Sequence, residues 1–235
     1  MHGIITLALK DRCVDEIRDS YMTISQMSEG EYKEKGSKFI AFAFPFDHIN
    51  EMDDHLKYLK NLHPKARHFC YAYAIGLDQE EFRMNDDGEP SNTAGKPIYG
   101  QIKSHELTNV FVVVVRYFGG TKLGASGLIQ AYKEAANVAL KACEKVTKTI
   151  GAEFEILFTY EQMGIILNTI KKLNFEILDK TFHLEPKIKI FIKRSDKQKR
   201  IISLKAALLE VSEDQVSFEE EIIWCSIVEK REIHV

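Results

Sequence analysis

Residues 107–142, LTNVFVVVVRYFGGTKLGASGLIQAYKEAANVALKA, decide how the rest of the chain is arranged. The part at 110–115 is a run of β-branched and aromatic residues without polar alternation, which predicts a strand buried on both faces. A glycine-rich turn follows the strand. From about Ser126 the apolar residues recur at steps of three and four, which predicts a helix. The glycines of the turn are Gly119, Gly120, Gly124 and Gly127.

A strand, a glycine turn and a helix in this order direct backbone N–H groups and the positive end of a helix dipole at one place, which suits an anion. The turn at 119–126 reads G-x-x-x-x-G-A-S. It differs from the P-loop because Ala125 stands where the P-loop has its lysine, which disfavours nucleotide hydrolysis. Lys122 offers a charge from a different position. The alternative interpretation is that the glycines only permit a tight turn.

The overall composition indicates a globular protein with a substantial core. Its 235 residues suit two ordinary domains or one large one, and 45% of them are apolar. A net charge of −3 gives no general attraction to nucleic acid, so such binding needs a local patch. No apolar run approaches the roughly 20 residues of a membrane span, and no signal peptide is evident. We therefore expect a cytoplasmic protein that does not contact membranes.

The cysteines and histidines are scattered along the chain. No two cysteines have the spacing of a metal or redox pair, which favours reduced thiols. His63 and His68 are the nearest histidine pair, and no carboxylate or thiolate lies at ligand spacing from them. We predict neither a metal nor a cofactor. The cysteines are Cys13, Cys70, Cys143 and Cys225.

The region before the buried strand predicts a mixed α/β domain. We expect two strands within 21–46, a helix over 47–62 and a strand over 68–77, followed by a polar segment over 78–103.

That polar segment holds three carboxylates, Asp86, Asp87 and Glu89, within four positions. They either flank a site, where they bind a cation or orient Arg67, Arg116 or a polar ligand, or belong to a solvated loop whose aspartates satisfy their own backbone.

After a polar stretch at 145–151, the pattern changes to βαββαβ, which predicts a ferredoxin-like arrangement with two helices on one face of an antiparallel sheet. The predicted elements are a strand at 154–160, a helix at 161–173, strands at 175–184 and 187–194, a helix at 197–209 and a strand at 216–223.

This second part carries a basic sector. Residues 187–205 hold eight basic residues and one acid, Asp196, a local net charge of +7. The sector suits phosphate contacts with nucleic acid, or it is a solvated face whose edge lysines discourage aggregation. The candidate nucleic-acid patch comprises Lys187, Lys189, Lys193, Arg194, Lys197 and Arg200.

Several separated motifs resemble the IMPACT/YigZ family. They are EGEYKEKGSKFIA, ARHFCYAY, RMNDDGEPSNTAGKPI and VVVVRYFGGTKLGASGLIQAY, which occur in this order over 21–142. The remainder is similar to the small ferredoxin-like domain of bacterial members, which is itself similar to a C-terminal domain of elongation factor G.

The resemblance implies an α/β (α+β) protein with an N-terminal extension at 1–20, an IMPACT-type domain at 21–146 that is ribosomal protein S5 domain 2-like, and a C-terminal ferredoxin-like domain at 151–225. Eukaryotic members regulate translation through protein partners, so the resemblance implies a translation-linked role. It transfers no catalytic residue, and the metal-ligand set that a dipeptidase of the prolidase type needs is absent from the sequence.

Two hypotheses follow. The first is a non-enzymatic cytosolic regulator that binds RNA, the ribosome or a translation-associated protein through an anion-binding groove. The second is an enzyme for a phosphorylated or acidic small molecule, with Asp86 or Asp87 as base or magnesium ligand. The sequence does not specify the oligomeric state. The candidate ligand-binding residues are Arg67, His68, Asp86, Asp87, Glu89, Arg116, Tyr117, Gly119, Gly120, Lys122, Gly124 and Ser126.

Overall fold

The computed structural model describes residues 18–235. Their contacts form two compact units, one of Ser20–Thr149 and one built on Ile150–Val235. The N-terminal extension expected at 1–20 lies almost entirely outside the described residues. No helix within residues 18–235 has both the length and the apolar character needed to cross a membrane.

The N-terminal unit is built on a five-stranded antiparallel sheet in the order β2-β3-β6-β4-β5. A further strand, β1 (Ser20–Ile24), pairs with the first residues of β7 (Lys145–Phe158). The strands of the sheet are β2 (Ser28–Glu34), β3 (Ser37–Pro45), β4 (His68–Ile75), β5 (Glu81–Asn85) and β6 (Val110–Tyr117).

The central strand β6 is buried on both faces, as predicted. Val110, Val112 and Val114 join a core with helices α2 (Gly95–Ser104) and α3 (Gly124–Ala142). The residues between them face a second core, which includes Leu59 of helix α1 (Met52–Leu62). Because helices cover both faces, the strand has no solvent-facing side and therefore no polar alternation.

Helix α3 lies unusually close to the sheet. Ala131, Ala135, Ala136 and Ala139 on its buried face are fully covered. A side-chain carbon added at Gly30 of β2 would lie 2.4 Å from the backbone nitrogen of Ala139. Small residues on both sides therefore permit a backbone-to-backbone approach that any larger residue at position 30 would prevent.

The C-terminal unit has the predicted ferredoxin-like topology. Its strands lie in the order β10-β7-β9-β8, all antiparallel, and both helices share one core with the sheet. Ile156, Ile188, Ile190 and Leu204 are fully buried in that core. The elements after β7 are α4 (Met163–Lys172), β8 (Glu176–Thr181), β9 (Lys187–Lys193), α5 (Lys197–Leu209) and β10 (Cys225–His234).

Three expectations about single elements are wrong. The last strand is Cys225–His234 rather than 216–223, so the unit extends past residue 225. The polar segment at 78–103 contains β5 and α2. Residues 21–46 hold three strands rather than two. The polar stretch at 145–151, after which the pattern changes, contains the division between the two units along the chain and is itself the beginning of β7.

Candidate functional site

Four loops meet at one end of the N-terminal sheet. Arg116, near the end of β6, pairs with Phe39 of β3 and with His68, the first residue of β4. The glycine turn after β6, the β2–β3 turn, the start of β4 and the acidic loop after β5 therefore lie together. We call this region the loop end, defined as residues 35–37, 67–68, 86–94 and 117–124.

Within the acidic loop, Asp86 acts as a cap for helix α2. One carboxylate oxygen, Oδ1, accepts hydrogen bonds from the amides of Ala94 and Gly95, each at 2.9 Å, and Oδ2 accepts one from the amide of Asn92 at 2.8 Å. Helix α2 begins at Gly95 and its own preceding residue supplies no side-chain cap. The carboxylate therefore satisfies amides that the helix leaves without partners.

Asp87 fastens the same loop to strand β4. Its Oδ2 accepts a hydrogen bond from the amide of Phe69 at 2.6 Å, and its carbonyl oxygen lies 2.8 Å from Nδ1 of His68. Both aspartates thus bind backbone groups of their own domain. Among residues 18–235 no group of three or more histidine, cysteine, aspartate or glutamate side chains is arranged to hold a metal ion.

The third acid of the loop, Glu89, forms a buried ion pair. Its Oε1 lies 2.5 Å from Nη1 of Arg116, and the two side chains are only 4% and 8% exposed. The guanidinium group also lies over the rings of Phe39 and Phe118, at 5.4 and 5.6 Å from their centroids. Arg116 is therefore a neutralised, enclosed cation rather than a free one.

A tyrosine and a cysteine complete this arrangement, which we call the Glu89 network (Cys70, Glu89, Arg116 and Tyr132). The hydroxyl of Tyr132 donates to Glu89 Oε1 at 2.8 Å, and Cys70 Sγ donates to that hydroxyl at 3.2 Å. Burial raises the pKa of both Tyr132 and Cys70, so each stays protonated at neutral pH. Since Tyr132 lies on α3, the network joins the acidic loop, β6 and α3.

The glycine turn is held to the β2–β3 turn by direct backbone contact. The amide of Gly119 donates to Ser37 Oγ at 3.1 Å. A side-chain carbon at Gly119 would lie 1.9 Å from the carbonyl carbon of Gly36, so only glycine fits there. Gly120 and Gly124 have φ values of 87° and 73°, in the left-handed region that glycine enters at little cost.

Helix α3 begins at this turn with an open N-terminus. Leu123 precedes its first residue and supplies no side-chain cap, and the first turn contains no acid. Gly124, Ala125 and Ser126 are exposed, and so is Lys122 just before the helix. The first amides of a helix have no intrahelical partners, and the dipole places partial positive charge there. This end of the helix is therefore available to an anion.

The structure brings most of the predicted residues together, in different roles. Asp86, Asp87, Glu89, His68 and Arg116 contact one another or their shared loops, as described above. Arg67 and Lys122 are exposed at the loop end without an ion-pair partner among the described residues. The hydroxyl of Tyr117 lies 2.9 Å from Nδ1 of His63, whose pKa is lowered by burial.

In the C-terminal unit, most cations of the predicted patch have partners. Lys187 pairs with Glu155 at 3.4 Å, Lys189 with Glu153 at 2.7 Å and Lys197 with Glu229 at 3.0 Å. Arg200 donates to the carbonyl of Asn174 and lies over the ring of Phe175, 4.0 Å from its centroid. The exposed cations Lys193 and Arg194 have no ion-pair partner within residues 18–235.

Three residues of this region are absent from the predicted ligand-binding set, namely Tyr132, Cys70 and Ser37. The helical period places Tyr132 on the apolar face of α3, where its ring packs against Phe39 with the centroids 5.1 Å apart. A hydroxyl group within a stripe of alanines and leucines is the available signal, because a buried tyrosine hydroxyl needs a partner.

The chain is similar to known proteins over the region that contains this site. The Impact N-terminal domain model matches residues 35–140. The IMPACT family member YvyE of Bacillus subtilis is 35% identical over 156 residues, which cover 66% of this chain and 72% of YvyE. The chain belongs to the IMPACT family. YigZ of Escherichia coli, another family member, is 35% identical over 131 residues, 55% of this chain and 64% of YigZ.

Solved structures also resemble this IMPACT family member. A crystal structure of a hypothetical protein superposes with a TM-score of 0.60 at 26% identity, over 83% of this chain and 93% of the other. The likeness covers most of both chains and agrees with the two-unit α/β architecture.

Proposed function

We propose that this IMPACT family member is a non-enzymatic cytoplasmic regulator that binds the phosphate groups of RNA, on or off the ribosome, at the loop end of its N-terminal unit. The observation that carries the proposal is the open N-terminus of α3 beside the exposed Lys122. The link to translation rests on the family resemblance, and RNA is the translation component whose chemistry matches an anion site.

The geometry supports phosphate binding because the donors are fixed before a ligand arrives. The Glu89 network joins α3 to the acidic loop, and the Gly36–Gly119 contact fixes the turn. Amides held in place lose little conformational entropy on binding. Lys122 and Arg67 add exposed positive charge at the same end of the sheet. Because the donors are exposed, a long polyanion has access to them.

The same geometry argues against the enzyme hypothesis in its predicted form. A general base or a magnesium ligand needs a carboxylate oxygen that is free to reach its target. Both oxygens of Asp86 accept amide hydrogen bonds, which argues against Asp86 in either role. Asp87 Oδ2 accepts one from Phe69, which leaves Oδ1 as the oxygen that the thermal-shift test with Asp87→Asn addresses. Their observed role is to fold the loop.

A filter-binding titration of ribosomal RNA across a salt series tests the proposal. We expect binding to weaken steeply with salt, and Lys122→Ala to lower the slope of log K against log salt by about 1. The matched control is Lys57→Ala, which removes an exposed lysine from α1 and should leave the slope unchanged. Absence of binding, a salt-independent affinity, or equal effects of both variants would contradict the proposal.

A second measurement addresses the enzyme hypothesis directly. Nucleotides and sugar phosphates are screened by thermal shift, with and without magnesium. A magnesium-dependent stabilisation by one metabolite that is lost in Asp87→Asn would replace the proposal with an enzyme function. We expect no such metabolite.

In the C-terminal unit, the exposed cations Lys193 and Arg194 have no ion-pair partner among the described residues. We propose that Lys193 and Arg194 add phosphate contacts. The double variant Lys193→Ala/Arg194→Ala should lower the salt slope further, whereas Lys187→Ala, which removes a cation already paired with Glu155, should have a smaller effect.

A further inference from the structure

A groove in the C-terminal unit is lined by residues that belong neither to the loop end nor to the candidate nucleic-acid patch. Its volume is about 770 Å³, and it is lined by residues of β7, α5, the loop before β10 and β10 itself. A volume of this order accommodates a drug-sized molecule or several side chains. Its apolar lining includes Phe154, Phe158, Ile201 and Ile222, which also belong to the hydrophobic core of the unit.

The lining carries a strong excess of negative charge. Glu219, Glu220 and Glu221 are consecutive and exposed, and Glu185 and Glu229 also line the groove. Glu229 pairs with Lys197, but the other four have no ion-pair partner among the described residues. Four carboxylates without an ion-pair partner around apolar surface favour a partner that carries positive charge.

Lys205 is the cation of the lining, and its single charge offsets only part of the charge of these acids. Its Nζ donates to the carbonyl oxygens of Phe218 and Glu220, each at 2.5 Å, and the residue is 8% exposed. Burial lowers its pKa, against the influence of the neighbouring glutamates. Lys205 therefore fastens the loop that carries the acids and keeps their side chains at the edge of the groove.

Apolar side chains project from the same rim. Ile223 lines the groove and is fully exposed, and Val228 on β10 is 39% exposed. Single exposed aliphatic residues are common, but two around one groove mark a surface that gains by being covered.

We propose that this groove docks a basic amphipathic segment of a partner protein, whose apolar side chains enter the groove and whose lysine or arginine side chains meet Glu185 and Glu219–Glu221. The surface consists only of residues from the C-terminal unit, so it is independent of the loop end. Charge complementarity selects the partner, because an acidic or neutral segment would leave the four carboxylates unpaired.

The full-length protein tests this with a defined probe. The probe is a fluorescein-labelled amphipathic helix of leucine and lysine, about 18 residues or five turns long. Its control has glutamate in place of lysine. Fluorescence anisotropy should show saturable binding of the lysine peptide and none of the glutamate peptide. The triple variant Glu219→Gln/Glu220→Gln/Glu221→Gln should bind the lysine peptide about tenfold more weakly, since it removes most of the free rim charge.

Ile223→Ser separates apolar docking from general charge attraction. The side chain is fully exposed, so its loss does not disturb the fold, and we expect about a tenfold loss of affinity for the lysine peptide. The matched charge control is Glu29→Gln/Asp53→Asn/Asp54→Asn, which removes three exposed acids from the N-terminal unit and should leave binding unchanged.

Three results would overturn the proposal. They are absence of saturable binding, equal weakening by both triple variants, and full affinity in Ile223→Ser. None of them bears on the RNA proposal, because Lys122 and Arg67 are unchanged in every variant.

Discussion

The two units handle buried carboxylates in different ways. Glu89 in the N-terminal unit is 4% exposed and meets one cation, Arg116, which is itself 8% exposed. Glu153 and Glu155 in the C-terminal unit are 5% and 8% exposed, but each meets two cations that reach solvent. Lys189 and Arg231 flank Glu153, and Lys187 and Lys230 flank Glu155, with exposures between 29% and 70%.

The buried Glu89–Arg116 pair is a rigid structural contact, whereas the ion pairs of Glu153 and Glu155 belong to a surface that tolerates change. A sealed pair of one acid and one base cannot lose either partner without leaving an uncompensated charge inside the protein. An acid with two solvent-exposed cations keeps one if the other is removed, and water and salt screen what remains. We therefore expect the loop end to be rigid and intolerant of substitution, and the C-terminal sheet face to tolerate single changes.

The largest expected effect comes from removing one partner of the buried Glu89–Arg116 ion pair. Arg116→Met should lower the free energy of unfolding by about 3–5 kcal/mol, because it leaves the buried carboxyl group of Glu89 without its cationic partner. The double variant Glu89→Gln/Arg116→Met should be more stable than the single one. Urea denaturation measures both. The matched control is Arg231→Met, which leaves Glu153 with Lys189 and should cost less than about 1 kcal/mol. Equal losses for Arg116→Met and Arg231→Met would refute the distinction.

A smaller effect is expected from Tyr132→Phe. The change removes the hydroxyl that donates to Glu89 and accepts from Cys70, while the ring keeps its packing on Phe39. A hydrogen bond to a charged group contributes about 1.5–3 kcal/mol, so we expect a loss of about 2 kcal/mol in urea denaturation. A loss below about 0.5 kcal/mol would mean that the hydroxyl does not hold the network together.

The two units should also lose stability in different pH ranges. Burial lowers the pKa of His55 and His63 in the N-terminal unit, so their contribution is complete above the ordinary value of 6.5 and declines as the pH falls below it. In the C-terminal unit, hydrogen bonds from Lys189 and Lys230 lower the pKa of Glu153 and Glu155. That contribution persists down to about their ordinary value of 4.5 and is lost below it.

Hydrogen exchange followed by mass spectrometry, between pH 7 and pH 4, measures the two units separately after correction for the intrinsic rates. Protection of Ser20–Thr149 should fall first. The single tryptophan, Trp224, provides a fluorescence signal from the C-terminal unit alone. His55→Phe keeps a ring against Phe44 and removes one titrating group, so it should reduce the early loss. Earlier loss in the C-terminal unit would reverse the expected order.

The smallest expected effect comes from placing an acid at the open end of α3. Ala125→Asp should raise the free energy of unfolding by about 0.3–1 kcal/mol, because the carboxylate complements the helix dipole. The same carboxylate should compete with phosphate, so RNA binding should fall although stability rises. Ala125→Asn is the uncharged control. Unchanged RNA affinity in Ala125→Asp would show that the helix end does not bind the ligand.

The sequence predicted the parts of the fold that follow from hydrophobic pattern. Strand β6 and helix α3 were evident because one is apolar without interruption and the other has a helical period. Helix α2 was missed because its segment begins with GKP and is rich in turn residues, and its cap comes from Asp86, nine positions before Gly95. A long-range cap leaves no signal near the helix.

Strand β10 was missed for a related reason. Residues 229–232 read EKRE, which suits a solvated loop, but they belong to an edge strand whose charged side chains meet Glu153 and Glu155. The apolar residues at 216–223, in the loop before β10, fit a strand pattern better, so the last strand was predicted there.

The Glu89–Arg116 pair could not be predicted from the sequence because it depends on the register in which the strands pair. Arg116 aligns with His68 and Phe39 only once three strands are paired, and Glu89 reaches it from a loop 27 positions away. The sequence also could not decide whether the acids of the loop flank a ligand site or bind backbone amides of their own loop. Composition does not reveal which amides a carboxylate will contact in the fold.

The close approach of Gly30 to Ala139 has a consequence at the opposite end of α3. Ala139 lies 15 residues after Gly124, which is about 22 Å along a helix. A methyl group at position 30 would push on the backbone of the helix, which is stiff over that length, and displace the amides that open at Gly124. We therefore expect Gly30→Ala to weaken binding at the proposed anion site, although Gly30 lies next to Ala139 and not at the loop end.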